Sequence, residues 1–450
     1  MGEPVHYVPH TDAEIEAMLA ALGLTSVEEL FASVPQALRL AGGLDLPAGL
    51  GEPDVVARLE ELAGRNQVGG RDLVCFAGAG AYDHEVPAVT RSLAGRAEFV
   101  TAYTPYQPEV AQGVLQALFE FQTMIARLAG VGVANASLYD GASATVEAVN
   151  LATSSTRRST VWISQGVHPH WRQVVRTFAA GEGRDVVEIP LHEGLTAWPD
   201  EPQDVGAVVT AYPNYLGCLE DVDRARQLAD RAGAPLVVAF DPVAAGLLRS
   251  PGSWGADVVV GEGQAFGTAL NFGGPYLGLF ACTEEHLRRL PGRLVGETVD
   301  TERRRAYVTT LRTREQDIRR ERASSNVCTN QTLMAVTAAI QLGWLGTRGL
   351  AEVALRCARG ARYCREALLA VDGVEPLVPA PVLREFAVRA PVDGEVLVER
   401  LAEEGFLAGV PLGPGLEASG CDGGLLVAVT ERRTRDEIDA FAAAFDKAVR

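Results

Sequence analysis

Between about residue 130 and residue 281 the chain carries short, unbroken apolar runs: Thr160–Ile163, Val205–Thr210, Leu236–Phe240, Val258–Val260 and Leu277–Ala281. A strand with one face in water alternates polar and apolar residues. Runs without alternation predict strands covered on both faces, as in a mostly parallel sheet. Stretches of helical period lie between several of them, Trp171–Ala179 and Asp221–Ala232 among these. The pattern therefore predicts an α/β fold with helices crossing over the sheet.

The flanks differ in character. Thr11-Asp-Ala-Glu14 has capping-box spacing, followed by Ile15, Met18, Leu19 and Leu22 at helical period. Residues 1–65 read as a helical arm broken near Pro47 and Gly51-Glu-Pro53. Pro108–Leu128 reads as a long helix with Val110, Val114, Leu118, Phe121 and Ile125 on its buried stripe. After an Arg-rich stretch, 303–322, a helix runs from about Thr329 to Leu345. The remainder closes on a helix capped by Thr434-Arg-Asp-Glu437 that buries Ile438, Phe441 and Phe445. At 450 residues the chain exceeds a single core. Three parts are expected: the arm 1–65, a large α/β domain 66–330 and a smaller C-terminal α+β domain 331–450.

Charge narrows the function. A net charge of −18 argues against nucleic acid or an anionic membrane as the main partner. Charges interrupt every apolar run before membrane-spanning length, and the first ten residues lack the apolar core of a signal peptide. The cysteines, at 75, 218, 282, 328, 357, 364 and 421, are odd in number and include no CxxC pair. Buried free thiols and a cytoplasmic location are expected.

Ligands of α/β sheets sit beyond the carboxyl ends of the strands. Tyr139-Asp-Gly-Ala-Ser143 leads from a strand-like segment into a helix, and Gly141, Ala142 and Ser143 are small enough to bring backbone N–H groups to an anion. Most such turns bind nothing. Asp241 ends the run Leu236–Phe240, where a carboxylate can pair with a protonated ring nitrogen; alone, it reads equally as an Asp opening a turn. With Val258–Val260 as a third strand, the series has the layout of fold-type I pyridoxal-phosphate enzymes. That layout places a Schiff-base lysine just after the third strand. Here the segment reads Gly261-Glu-Gly-Gln264, and an amide nitrogen forms no imine. The only lysine of the chain is Lys447, in the last helix.

Phe76-Ala-Gly-Ala-Gly-Ala-Tyr-Asp-His84, Thr101-Ala-Tyr-Thr-Pro-Tyr-Gln-Pro-Glu109, Val133–Gly141, Gly261–Gln264, Phe272–Gly278, Gly292–Thr298, Thr313–Gln316 and Ser325–Gln331 resemble signature segments of the glycine cleavage system P-protein. The resemblance runs from His10 to at least residue 345. In particular the chain is similar to the lysine-lacking first subunit of the two-chain form, with Gln264 opposite the cofactor lysine of the second. The resemblance implies glycine decarboxylation on pyridoxal phosphate held by the homologous lysine-bearing subunit 2. It also implies aminomethyl transfer to the lipoyl arm of the H-protein, in a pair of heterodimers. Gly141, Ala142, Ser143, Asp241 and Gln264 would then form a vestigial cofactor pocket, with Asp241 dispensable. Tyr103, Tyr106 and Gln107 would be lent to a shared substrate site, their phenols donating to a carboxylate or serving only as interface packing. Asp317 and Arg312 stand where the family usually has His and Gln.

Other features read as structural. His84 reads as a polar neighbour of the site or, the preferred reading, as a structural histidine bonded to Asp83 or backbone, and His168-Pro-His170 lacks a third ligand for a metal. Arg312, Arg314, Arg319, Arg320 and Arg322 form a basic face, solvated or clamping a partner's carboxylates. Two other functions fit a pyridoxal-type fold without its lysine: a non-catalytic regulatory or scaffold paralogue, and a subunit of another amino-acid decarboxylase.

Overall fold

The computed structural model describes residues 9–40, 44–201, 204–271, 273–311, 323, 325–413, 416 and 419–450. The basic run 312–322, with Arg312 and Asp317, lies outside them. Two compact units are present, Met1–Asn66 and Gln67–Arg450.

In the first unit, helix α1 (Asp12–Leu22) starts at Thr11, whose hydroxyl accepts the Glu14 N–H while the Glu14 carboxylate takes the Thr11 N–H, and it ends at Gly23 with φ 70°. Its stripe is not a core stripe: only Leu19 is buried, and Met18 and Leu22 are exposed. A second helix covers Glu52–Ala63.

The main sheet of the second unit has seven strands among the described residues: β1 (Val133–Ala134), β2 (Thr160–Ser164), β3 (Asp185–Ile189), β4 (Val205–Tyr212), β5 (Leu236–Phe240), β6 (Val258–Glu262) and β7 (Gly278–Cys282). Their order is β1-β7-β6-β5-β4-β2-β3. Neighbours from β2 to β6 pair parallel, and β7 runs antiparallel to both β6 and β1. The unalternating runs have the predicted cause. Leu236, Val238 and Val259 point into one core, whereas Val237, Ala239, Val258 and Val260 point into the other. Each face is covered by helices: α2 (Gln112–Ala129) and α5 (Val222–Ala232) on the first, α3 (Gly141–Thr156) and α4 (Pro169–Glu182) on the second.

Helix α2 buries Val114, Leu118, Phe121 and Ile125 as expected, but Val110 is 83% exposed. The reason is local: Pro108–Val110 forms a separate 3₁₀ turn, so Val110 is off the helical stripe. The long α6 (Thr332–Leu369) is interrupted at Gly346, whose φ 60° and ψ −176° only glycine adopts readily. Its first half packs Ala335, Ala338 and Leu342 on the main sheet's core. Its far end packs Ala361, Cys364 and Leu368 into another core with Phe386, Phe441 and Phe445. That core lies under a four-stranded sheet, β8 (Glu375–Pro376), β9 (Glu385–Arg389), β10 (Val410–Pro411) and β11 (Leu425–Ala428), in order β8-β9-β11-β10. Phe76 reaches into it and stacks on Phe441, ring centroids 4.1 Å apart. The closing helix α7 (Arg435–Val449) has its predicted capping box at Thr434 and Glu437. All seven cysteines are free, six of them buried and Cys328 half-buried. No helix among the described residues is long and apolar enough to cross a membrane.

Candidate functional site

The carboxyl ends of β2, β4, β5 and β6 converge, and the residues after them (Gly166 and His168, Asn214 and Tyr215, Asp241, Gln264) line one cavity of about 80 Å³. Tyr82, from the loop before residue 85, and Arg384 and Glu385, at the start of β9, complete its wall. The cavity meets a wider cleft that shares Gly80, His168, Trp171, Tyr215 and Glu262 with it.

Gln264 is 1% exposed. Its amide nitrogen donates to Tyr82 O (3.1 Å) and Thr268 O (2.7 Å), and its oxygen accepts from Tyr82 N (2.9 Å). Both donors and the acceptor are engaged, so the side chain is a clasp between loop and strand end. Asp241 is paired as well: Arg384 Nε lies 2.7 Å from its Oδ2, and its Oδ1 accepts the Val243 N–H. The Arg384 guanidinium is stacked on the Tyr82 ring, 3.6 Å from the centroid, and donates to His84 Nε2 at 2.6 Å. Because Nε2 accepts, the ring proton sits on Nδ1, which donates to Glu431 at 2.7 Å. Burial of Glu431 is outweighed by His84 and by backbone N–H groups, and its pKa falls to about 2. A buried chain of alternating polarity thus runs from Asp241 through Arg384 and His84 to Glu431. The side-chain partners of His84 are Arg384 and Glu431 rather than Asp83, which makes it a polar neighbour of the cavity through Arg384. Cys357 joins His84 and Glu431 within 4.8 Å, a spacing that suits a metal. The guanidinium against His84 makes this a poor place for a cation.

Two more carboxyls face the site. Burial pushes Glu385 up to about 7, against the Ala79 N–H (2.6 Å) and the Tyr82 hydroxyl (2.8 Å) that bond it. Glu262, last residue of β6, is likewise raised to about 7 by desolvation. His168 is driven down to about 4 by burial. Its neutral ring donates through Nε2 to Ala79 O and accepts the His170 N–H at Nδ1, so it caps α4 rather than binding metal.

The predicted turn divides from the predicted strand-end acid. Asp241 and Gln264 line the 80 Å³ cavity, whereas Asp140 and Ala142 line the wider cleft. Asp140 caps α3 by accepting the Ser143 N–H at 2.7 Å. Gly141 is required by packing, since a Cβ there would lie 2.2 Å from the Trp171 ring. Tyr103, Tyr106 and Gln107 line neither space. All three are exposed, Tyr103 by 81%. Tyr106 lies against Arg293, which also bonds Asn330, while Asn330 bonds Ala136 O and Ser137 Oγ. Three of the quoted segments, Val133–Gly141, Gly292–Thr298 and Ser325–Gln331, are thereby tied together beside the tyrosines.

Sequence reasoning missed Tyr82, Arg384, Glu385 and the bonding role of Glu262. Only Glu262 had a signal, an acid ending an apolar run. Among the residues lining the cavity no side-chain amine is present.

A family model described as glycine cleavage system P-protein matches residues 5–445. The chain belongs to the glycine cleavage system P-protein family. Within that family it is 47% identical over 445 residues to a protein of Moorella thermoacetica named probable glycine dehydrogenase (decarboxylating) subunit 1, covering 97% of this chain and 98% of the relative. A protein of the same name from Prosthecochloris aestuarii is 46% identical over 440 residues, with the same coverage. Among solved structures, the inhibitor-bound crystal structure of glycine decarboxylase (P-protein) of the glycine cleavage system superposes with TM-score 0.90 at 45% identity, covering 99% of this chain and 100% of that one. A sphingosine-1-phosphate lyase of Burkholderia pseudomallei shares the fold at 15% identity, with TM-score 0.66 and 92% and 94% covered. The P-protein chain thus has the fold-type I pyridoxal-phosphate architecture, with a large, mostly parallel sheet.

Proposed function

We propose that this chain is the subunit of a two-chain glycine decarboxylase that does not hold the cofactor. Paired with a homologous lysine-bearing subunit, it takes part in decarboxylating glycine and passing the aminomethyl group to the lipoyl arm of the H-protein, with pyridoxal phosphate on the partner. The observation that carries this reading is Gln264, whose amide is fully bonded to Tyr82 and Thr268 at the position of the missing lysine. The residues present do not fit pyridoxal phosphate. Asp241 already has a cation in Arg384, and Gln264, bonded through its whole amide, offers no amine to form an imine. A scaffold paralogue or a subunit for another amino acid is the weaker reading, because relatives matched over nearly their whole length bear the glycine dehydrogenase subunit 1 name.

Pairing is supported by apolar side chains left in water, Leu38, Leu44 and Leu46 on the first unit and Val110 and Trp344 on the second. Co-expression with the lysine-bearing subunit is expected to give one species with one pyridoxal phosphate per pair and glycine-dependent CO₂ release. The chain alone is expected to give neither. A borohydride-reducible cofactor band on the isolated chain at one per chain would refute the assignment.

Tyr103 and Tyr106 are then this chain's contribution to chemistry at the junction of the two subunits, with Gln107 beside them. Both side chains are exposed, Tyr103 the more so, and the Tyr106 hydroxyl accepts from Arg293 at 3.4 Å, so the pair stands where a partner subunit can reach it. Tyr103→Phe and Tyr106→Phe are each expected to lower kcat/KM for glycine about 10- to 100-fold with assembly intact, the worth of one hydrogen bond to a charged group. Wild-type rates from both variants would reduce the tyrosines to interface packing.

A further inference from the structure

Glu262 ends β6 with its carboxyl group turned onto three backbone donors from three segments. Its Oε2 accepts the Gly141 N–H at 2.9 Å, from the first turn of α3. Its Oε1 accepts the Gln264 N–H at 3.0 Å and the Leu277 N–H, at the entry to β7, at 2.8 Å. Converging backbone N–H groups at the positive end of a helix make an oxyanion nest. Here the nest is filled by a carboxyl group of the same molecule, whose two oxygens accept all three N–H groups. Across the site, Arg384 performs the mirror task, setting a cation 2.7 Å from the strand-end carboxylate of Asp241.

We propose that this chain supplies its own substitutes for a bound ligand's charges, with the Glu262 carboxyl group filling the nest at the start of α3 and the Arg384 guanidinium neutralising Asp241. The inference deepens, and rests on, the reading that the partner holds the cofactor. The nest is specific for a carboxylate rather than a phosphate dianion. Asp140, whose Oδ1 takes the Ser143 N–H, stands beside it, and a doubly charged group would meet that second negative charge. The chain therefore completes its fold with no anion from outside.

Removing the substitute opens the nest. Glu262→Ala leaves three N–H groups without an acceptor in a hollow the size of a small carboxylate. Its melting temperature is expected to fall by several degrees. Formate or acetate is expected to raise it back along a saturation curve, by mass action. Phosphate at matched ionic strength is expected to do less, and wild type is expected to respond to none of the three. No recovery with formate or acetate, or equal recovery in wild type, overturns the proposal. Should Glu262→Ala not fold, Glu262→Gln carries the test. It keeps the volume and one acceptor but turns an NH₂ toward a backbone N–H, so stability equal to wild type overturns the proposal and a lower melting temperature supports it. Cofactor content is measured on the wild-type pair in parallel. A stoichiometry other than one per pair refutes the subunit assignment, whereas one per pair without anion recovery refutes the filled nest alone.

Discussion

Gln264→Lys is expected to give a chain that still holds no pyridoxal phosphate and is less stable than the natural one. Restoring the nucleophile restores only one of the things the site lacks. Gln264 accepts the Tyr82 N–H, and lysine has no acceptor, so that donor is stranded at a cost of about 1–3 kcal/mol. The new ammonium would lie where the present side chain is 1% exposed, and burial favours its neutral form. A cofactor ring would then have to displace Arg384 from Asp241, breaking a buried ion pair before making any contact of its own. Visible absorbance after incubation with the cofactor, followed by borohydride reduction and peptide mapping, is the measurement. A reduced adduct at position 264 with one cofactor per chain would show that the amide alone keeps the pocket empty.

Arg384→Met is expected to lower stability by about 3–5 kcal/mol, the usual consequence of taking one partner from a buried ion pair. The side chains of Arg384 and Asp241 are 5% and 14% exposed, so water does little to replace the lost charge. The same substitution removes the cation from the Tyr82 ring and the donor from His84 Nε2. Asp241→Asn weakens the pair from the other end, which departs from the expectation that Asp241 is dispensable once the lysine is gone. The double change Asp241→Leu with Arg384→Met is expected to cost less than the sum of the single changes, because no lone charge remains. Urea unfolding midpoints at constant m-value read all of these. An Arg384→Met chain within about 1 kcal/mol of wild type would mean the pair contributes nothing beyond ordinary surface charges.

What the sequence reveals of this molecule is what local pattern encodes. The doubly covered strands announce themselves because both faces of Leu236–Phe240 and Val258–Val260 need apolar side chains. The two capping boxes are visible because two residues within a span of four suffice to form one. Where pattern fails, the cause is also physical. Val110 has the spacing of a stripe residue, but a 3₁₀ turn, not the helix, carries it. Gln264 is legible as a missing nucleophile. Its clasp is not, since its partner Tyr82 is 182 residues away. The same holds for Tyr82 with Glu385, 303 residues apart, and for Arg384 with Asp241. Chemistry by absence could be read along the chain, whereas the side chains bonded around Gln264 and Asp241 meet only in three dimensions.

The lone lysine bears on how this protein can be handled. Lys447 is 70% exposed on α7 and touches Glu404. Apart from the terminal amine, it is the one place where an aldehyde or an activated ester can attach. Among side chains, dyes, cross-linkers and surfaces coupled through amines therefore have only this one point of attachment, on the last helix. A lysine-specific protease has a single site in this sequence, at Lys447. In a mixed preparation, every other lysine peptide belongs to another chain.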